Sequence, residues 1–278
     1  MSGIVFFKSR KLSDLKEFYQ NEIGCQVWVE QADCVILRHG NFLFGFCQRD
    51  EADTGGTITF FYDSKDEVDR AYARHKEIAV NEPSHNDKYR IYNFFARDPE
   101  GRMIEFQQFE HRVDHYLSGA ELLLKRRSIR EFTDEDVTDD TFRQLLDNCR
   151  YAPTSMNSQS YYFKLIKDRK TIDWLSQTRG KSSFPIAKGR LAVAICADPS
   201  LSRRHIQDGC IAAYHFLLAA WSFGLGTCWI AAMDRDDVKE KLGLPADHYV
   251  ATVTPLGYPQ DPFIKPPRKK DLGEFIVS

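Results

Sequence analysis

Arg126-Arg127-Ser128-Ile129-Arg130 packs three guanidinium groups and a hydroxyl into five residues. Guanidinium groups present charge-assisted, bidentate donors, so such a cluster suits a phosphate monoester. A second cationic run, Lys265-Pro266-Pro267-Arg268-Lys269-Lys270, has its backbone stiffened by prolines. Between them, Ala152-Pro153-Thr154-Ser155-Met156-Asn157-Ser158-Gln159 offers hydroxyls, carboxamides and backbone donors. Gly224-Leu225-Gly226-Thr227-Cys228-Trp229-Ile230 closes a long apolar run. One of its glycines can end a helix, and the other permits close backbone approach to a flat ligand. It is not a dinucleotide fingerprint, because it follows a helix and lacks a third glycine. Taken singly, each segment has a plainer reading as a solvated basic turn, a surface run or a connecting loop. Cys228 invites a redox role, but a packed thiol is expected, and His205, Asp208 and His215 are expected to be structural.

These residues need elements to hold them. Ser118 and Glu121 form a capping-box pattern ahead of Leu122-Leu123-Leu124. Thr138 can cap a helix carrying Phe142, Leu145, Leu146 and Cys149 on one face, ending before Pro153. Strands are expected at Phe163–Ile166, Leu191–Cys196 and Tyr249–Thr254, a buried helix around Gly209–Phe223 and a charged helix around Asp236–Lys241. The apolar run is too short to span a bilayer.

The first ~110 residues follow a different grammar, with strands dominating and one order occurring twice. Copy one has Ile4–Phe7, a helix capped by Ser13 with Leu15, Phe18 and Tyr19 inward, then Gln26–Glu30, Cys34–Arg38 and Phe42–Cys47. Copy two has Thr57–Tyr62, a helix with a Ser64/Glu67 capping box, a strand hard to place between Ala79 and Tyr89, then Ile91–Ala96 and Met103–Phe109. Asp98-Pro99-Glu100-Gly101 supplies the turn between the last two. His39, His75 and His85 show no ligand spacing and are expected as solvated or hydrogen-bonded surface residues.

Length suggests one large domain or two ordinary ones, and 42% hydrophobic with 28% charged residues suits a soluble globular protein. A net charge of −2 favours neither nucleic acid nor membrane as partner. Seven cysteines without a Cys-x-x-Cys argue against a disulfide framework or zinc ribbon. Reduced thiols and the lack of a signal-peptide pattern give a cytoplasmic expectation.

Two family resemblances follow. In order and spacing, the arginine segment, the Ala-Pro-Thr-Ser…Asn-Ser-Gln loop, the Gly-Leu-Gly-Thr-Cys-Trp-Ile turn, Leu256-Gly257-Tyr258-Pro259 and the arginine after Pro-Pro resemble the nitroreductase family across residues 118–275. Phe18-Tyr19 with Ile23-Gly24, and Asp98-Pro99-Glu100-Gly101 with Ile104-Glu105-Phe106, resemble the vicinal oxygen chelate superfamily of glyoxalase and bleomycin-resistance proteins. Together they imply a two-domain α+β chain. Residues 1–112 would form paired βαβββ modules, and residues 113–278 a nitroreductase-like α+β fold with a central mixed sheet flanked by helices.

The nitroreductase resemblance implies FMN. Arg126, Arg127, Ser128, Arg130 and Arg268 would hold its phosphate and ribityl chain, and Pro153, Thr154, Ser155 and Asn157 would line the flavin. Thr227, Cys228 and Trp229 would turn backbone donors to the ring edge. It further implies a homodimer and ping-pong reduction of a small nitroaromatic or quinone by NAD(P)H, with no catalytic side chain because the flavin carries the chemistry. Two alternatives stay open: a flavin-dependent dehalogenase or dehydrogenase, and a small-molecule binding protein with a vestigial flavin site. Catalytic relatives of the first domain hold a divalent metal with inward His and Glu. The matching positions here are Ile4 and Thr57, Phe42–Cys47 offers no carboxylate, and only Glu105 remains, so no metal is expected.

Overall fold

Alternating apolar and polar residues make strands only where a second element covers the apolar face. In a computed structural model describing residues 3–111, 117–261 and 266–276, the chain divides into two units, Met1–Ser118 and Gly119–Ser278.

The first unit runs β1 (Val5–Ser9), α1 (Leu12–Asn21), β2 (Gln26–Glu30), β3 (Cys34–His39) and β4 (Phe42–Gln48). It then repeats the pattern as β5 (Thr57–Tyr62), α2 (Lys65–His75), β6 (Ser84–Asn86), β7 (Ile91–Arg97) and β8 (Met103–Phe109). The two four-stranded sheets share one strand order, β1-β4-β3-β2 and β5-β8-β7-β6, each with its first strand parallel to its last. A common core of Leu15, Tyr19, Phe44 and Phe46 from the first copy and Phe60, Val68, Phe94 and Phe106 from the second joins them. The strand that was hard to place is β6, too short to carry a readable alternation.

The Asp98–Gly101 turn is a junction between the copies. Arg102 is fully buried, its guanidinium lying 5.0 Å from the Phe7 ring and 4.9 Å from the Phe46 ring. It pairs with Asp98 and donates to the Asp53 carbonyl at 2.6 and 2.9 Å. Asp98 also accepts from Tyr19 Oη at 3.2 Å, and Glu100 Oε1 accepts from Arg10 N at 2.7 Å and Lys11 N at 3.1 Å.

Three expectations are corrected in this unit. α1 starts at Leu12 with Lys11 as its N-cap, because Glu100 and Gln48 already accept from the amides of Arg10, Lys11 and Leu12; Ser13 lies inside the first turn. His75 is buried and stacks on Phe106 with centroids 5.2 Å apart, and burial pushes its pKa down. Cys34 and Cys47 form a disulfide, since the β3–β4 register sets them directly opposite with Cα atoms 4.0 Å apart. Cysteine spacing carries no information on cross-strand neighbours. The Ser64/Glu67 capping box is present.

The second unit comprises α3 (Gly119–Lys125), α4 (Asp139–Cys149), β9 (Tyr161–Ile166), α5 (Arg169–Gln177), α6 (Pro185–Lys188), β10 (Leu191–Ala197), α7 (His205–Ser222), α8 (Asp236–Leu242) and β11 (Tyr249–Leu256). Thr138 caps α4 through a 3.0 Å bond from Thr141 N. The strands pair antiparallel in the order β11-β10-β9; among the described residues the parallel element of this unit is the bridge Ser128–Thr227. Side chains alternate between two cores. Val193, Ile195 and Ala251 pack with α4 and α7, while Ala192, Ala194, Cys196 and Val250 pack with α5, α6 and α8. Burial on both faces explains the uninterrupted apolar sequence of β10. α7 begins earlier than expected, at His205, with a polar first turn ahead of its apolar body. No helix among the described residues is long and apolar enough to cross a membrane.

Candidate functional site

The frame of the candidate site is backbone. Ile129 N donates to Thr227 O at 2.8 Å, which docks the arginine segment along the turn after α7. Gly226 N donates to Gly257 O at 2.7 Å, Thr133 N to Tyr258 O at 2.9 Å, and Gln260 N to Glu131 O at 3.1 Å. Residues 126–133, 226–229 and 257–260 are thereby laced together. Gly226 is required by space: a Cβ there would stand 2.7 Å from Ile129 Cβ. Ile129 is itself 1% exposed, so the apolar residue in the middle of the motif anchors it while its neighbours stay reachable.

Arg126 carries the most informative atom. Its Nη1 is buried and has no hydrogen-bond partner among the described residues. Leaving a guanidinium nitrogen in that state is costly unless a ligand completes it. Arg126 and Arg130 both lie close enough to bias the Cys228 thiol downward, although burial dominates and pushes its pKa up. That supports the packed thiol expected for Cys228, which is 4% exposed. Ser128 is half-buried and Arg130 exposed.

Behind the 227–230 segment stand two fully buried threonines of β11. Thr254 Oγ1 accepts from Cys228 N at 3.1 Å, and Thr252 Oγ1 accepts from Ile230 N at 3.1 Å. The Cys228 amide is therefore engaged inside the protein, which corrects the expectation that it faces a flat ligand. Thr227 turns its carbonyl to Ile129 and is 1% exposed, whereas Trp229 is half-buried and is the more accessible residue of this segment.

The 152–159 loop is built separately. Thr154 Oγ1 accepts from Gln159 N at 3.0 Å, and Met156, Asn157 and Gln159 hold φ values of 53°, 54° and 49°. Pro153, Ser155 and Asn157 are exposed and Thr154 is half-buried. Asp208 of α7, 2% exposed, accepts from Ser155 N at 2.8 Å, Ser160 Oγ at 3.0 Å and Ser158 Oγ at 3.3 Å. Sequence reasoning left Asp208 as structural; a carboxylate in the first turn of an otherwise apolar helix was the available signal. Among the described residues, no hydrogen bond joins Arg126, Ser128 or Arg130 to this loop. Arg268 is exposed, in a segment resumed at Pro266, and Lys265 lies outside the described residues.

The Nitroreductase family model matches residues 123–181 and 190–258, which take in the first two framed segments and Gly257-Tyr258 of the third. A protein of Archaeoglobus fulgidus, provisionally named an NADH dehydrogenase/NAD(P)H nitroreductase, is 31% identical over 148 residues, covering 50% of this chain and 84% of that protein. The chain belongs to the nitroreductase family. An FMN reductase (NADPH) of Bacillus subtilis is 29% identical over 53% of this chain and 68% of its own length. The crystal structure of a Parabacteroides distasonis protein with the same provisional name as the archaeal one superposes with a TM-score of 0.53. It is 28% identical and covers 57% of this chain and 96% of that one. The nitroreductase segments thus coincide with the second unit and its candidate site.

Proposed function

We propose that this chain is an FMN-dependent oxidoreductase that uses NAD(P)H to reduce a small organic acceptor, such as a nitroaromatic or a quinone, by a ping-pong scheme. The observation that carries the reading is the buried Arg126 Nη1, without a partner among the described residues, beside Ser128 and Arg130 in a frame that admits no Cβ at Gly226. That donor set fits a phosphate monoester. FMN, when bound, supplies the hydride and electron chemistry. Arg126, Arg127, Ser128, Arg130 and Arg268 bind its phosphate end. Pro153, Thr154, Ser155 and Asn157 line the ring system, and the backbone at Thr227 and Trp229 orients its edge. Thr252 and Thr254 hold that backbone in place from behind.

Among the described residues no hydrogen bond joins Arg126, Ser128 or Arg130 to the 152–159 loop, and α7 leaves Ile206, Ile211 and Tyr214 about half exposed. Both features favour a homodimer in which two chains complete each flavin site. The first unit reads as a vicinal oxygen chelate-type domain without metal. The Glu105 oxygens accept from Thr59 Oγ1 at 2.8 Å and Asn93 Nδ2 at 2.6 Å, both neutral donors of a kind that does not mark a cation site.

Purified protein should be yellow or take up FMN stoichiometrically, oxidise NAD(P)H only when an acceptor is present, and give parallel double-reciprocal plots. A colourless chain with no FMN affinity would overturn the cofactor. A flavin that is reduced but never reoxidised by quinones or nitroaromatics would favour the binding-protein alternative.

A further inference from the structure

We propose that Asp208 is a positioning residue of the flavin site: from the first turn of α7 it holds the Thr154–Gln159 loop in the shape that receives the cofactor. The inference rests on the FMN reading above. Apart from Ser202 just ahead of α7, the groups that donate to the Asp208 carboxylate belong to the loop and its flank. Oδ1 accepts from Ser155 N at 2.8 Å, and Oδ2 accepts from the hydroxyls of Ser158 at 3.3 Å and Ser160 at 3.0 Å.

Three observations separate this from ordinary packing. First, the carboxylate is 2% exposed, in a helix whose other buried residues are apolar or glycine. A buried charge persists only where donors are aimed at it, and here three of the four come from residues 155, 158 and 160, the fourth being Ser202. Second, the loop needs holding. Of the five non-glycine residues with positive φ among the described residues, three are Met156, Asn157 and Gln159. Left-handed backbone at such residues persists only where the surroundings enforce it. Third, the loop cannot be held by its own burial, since Ser155, Met156, Asn157 and Gln159 are all exposed and Met156 is 99% exposed. Asp208 thus fixes from below a loop whose upper surface must remain open to a ligand. The next helical residue is Gly209, where an added Cβ would sit 3.1 Å from Ala197 Cβ, so α7 lies close against β10 just where the clamp is anchored.

The test compares Asp208→Ala and Asp208→Asn with Val238→Ala. The last is a core truncation on the other side of the sheet that lowers stability without touching the loop. FMN affinity, the visible flavin spectrum and amide hydrogen exchange at residues 155–159 are read on each full-length protein. Loss of hydrogen bonds to a charged acceptor should weaken FMN binding at least about tenfold in Asp208→Ala and perturb the spectrum. Asparagine still accepts from Ser155 N and should keep affinity within about threefold. Val238→Ala should lower Tm and leave affinity and spectrum unchanged. The proposal is overturned if Asp208→Ala affects FMN no more than Val238→Ala does, or if Asp208→Asn is as impaired as the alanine variant. If the wild-type chain takes up no FMN, the cofactor reading and the positioning role fall together, while exchange at residues 155–159 still decides whether Asp208 clamps the loop.

Discussion

At the scale of single residues, a half-buried arginine and a buried carboxylate of the nitroreductase unit ask for opposite things. Arg126 has a buried donor atom, Nη1, with no acceptor among the described residues. Arg126→Ala should weaken FMN binding by ~1.5–3 kcal/mol, the scale of a hydrogen bond to a charged group, as measured by fluorescence titration. Asp208 already has its donors. Burial alone would push its carboxyl up, but the bonds from Ser155 N–H and from Ser202, Ser160 and Ser158 outweigh it and hold the pKa below the ordinary value. A depressed folded pKa means stability that is fully present above the unfolded value of about 3.9 and lost as pH falls through the folded one. Below about pH 4, wild type should therefore lose more denaturant stability than Asp208→Asn, whose side chain does not titrate. Equal acid slopes in the two proteins would contradict the assignment.

At the scale of elements, sequence and structure agree where a signal is local. The α2 capping box, the Thr138 cap and the turn at Asp98–Gly101 are all short-range chemistry, and all are present. They part where a distant residue intervenes. The start of α1 is set by Glu100 and Gln48, and the Cys34–Cys47 bond by strand register. The candidate site shows the same division. The arginine segment and the glycine turn are readable as motifs, but the role of Asp208 becomes visible only once α7 is brought beneath the 155–160 backbone. Gly226 links motif to element. Gly226→Ala drives a Cβ into Ile129 and should cost about 1–3 kcal/mol by overpacking. Because Ile129 anchors the arginine segment, FMN affinity should fall with Tm in that variant. A loss of Tm without loss of affinity would show that the frame does not need this close approach.

At the scale of the whole molecule, the chain is two units with separate cores. The first depends on the buried Arg102, paired with Asp98 and Glu100 at the meeting of its two copies. Asp98→Ala removes the closer carboxylate from buried Arg102 and leaves it Glu100 Oε2 at 3.4 Å and the Asp53 carbonyl, which should destabilise that unit by about 1.5–3 kcal/mol in denaturant unfolding. A change under about 1 kcal/mol, the range of surface pairs, would show that the pair is solvated. The two units also differ in thiol chemistry. Oxidised protein alkylated under denaturing conditions should label five cysteines, and all seven only after reduction. Three of the five, Cys25, Cys149 and Cys196, are pushed up to about 12 by burial and should react slowly in the folded chain.

The exposed tip of the 154–159 loop has a practical corollary. Of the four methionines, Met156 is 99% exposed, Met103 is half-buried and Met233 is fully enclosed. A sample carrying carbon-labelled methionine methyl groups would therefore place a narrow NMR resonance on the loop itself. Occupancy and motion at the site could then be followed in the unaltered protein, without an engineered probe or a coloured substrate.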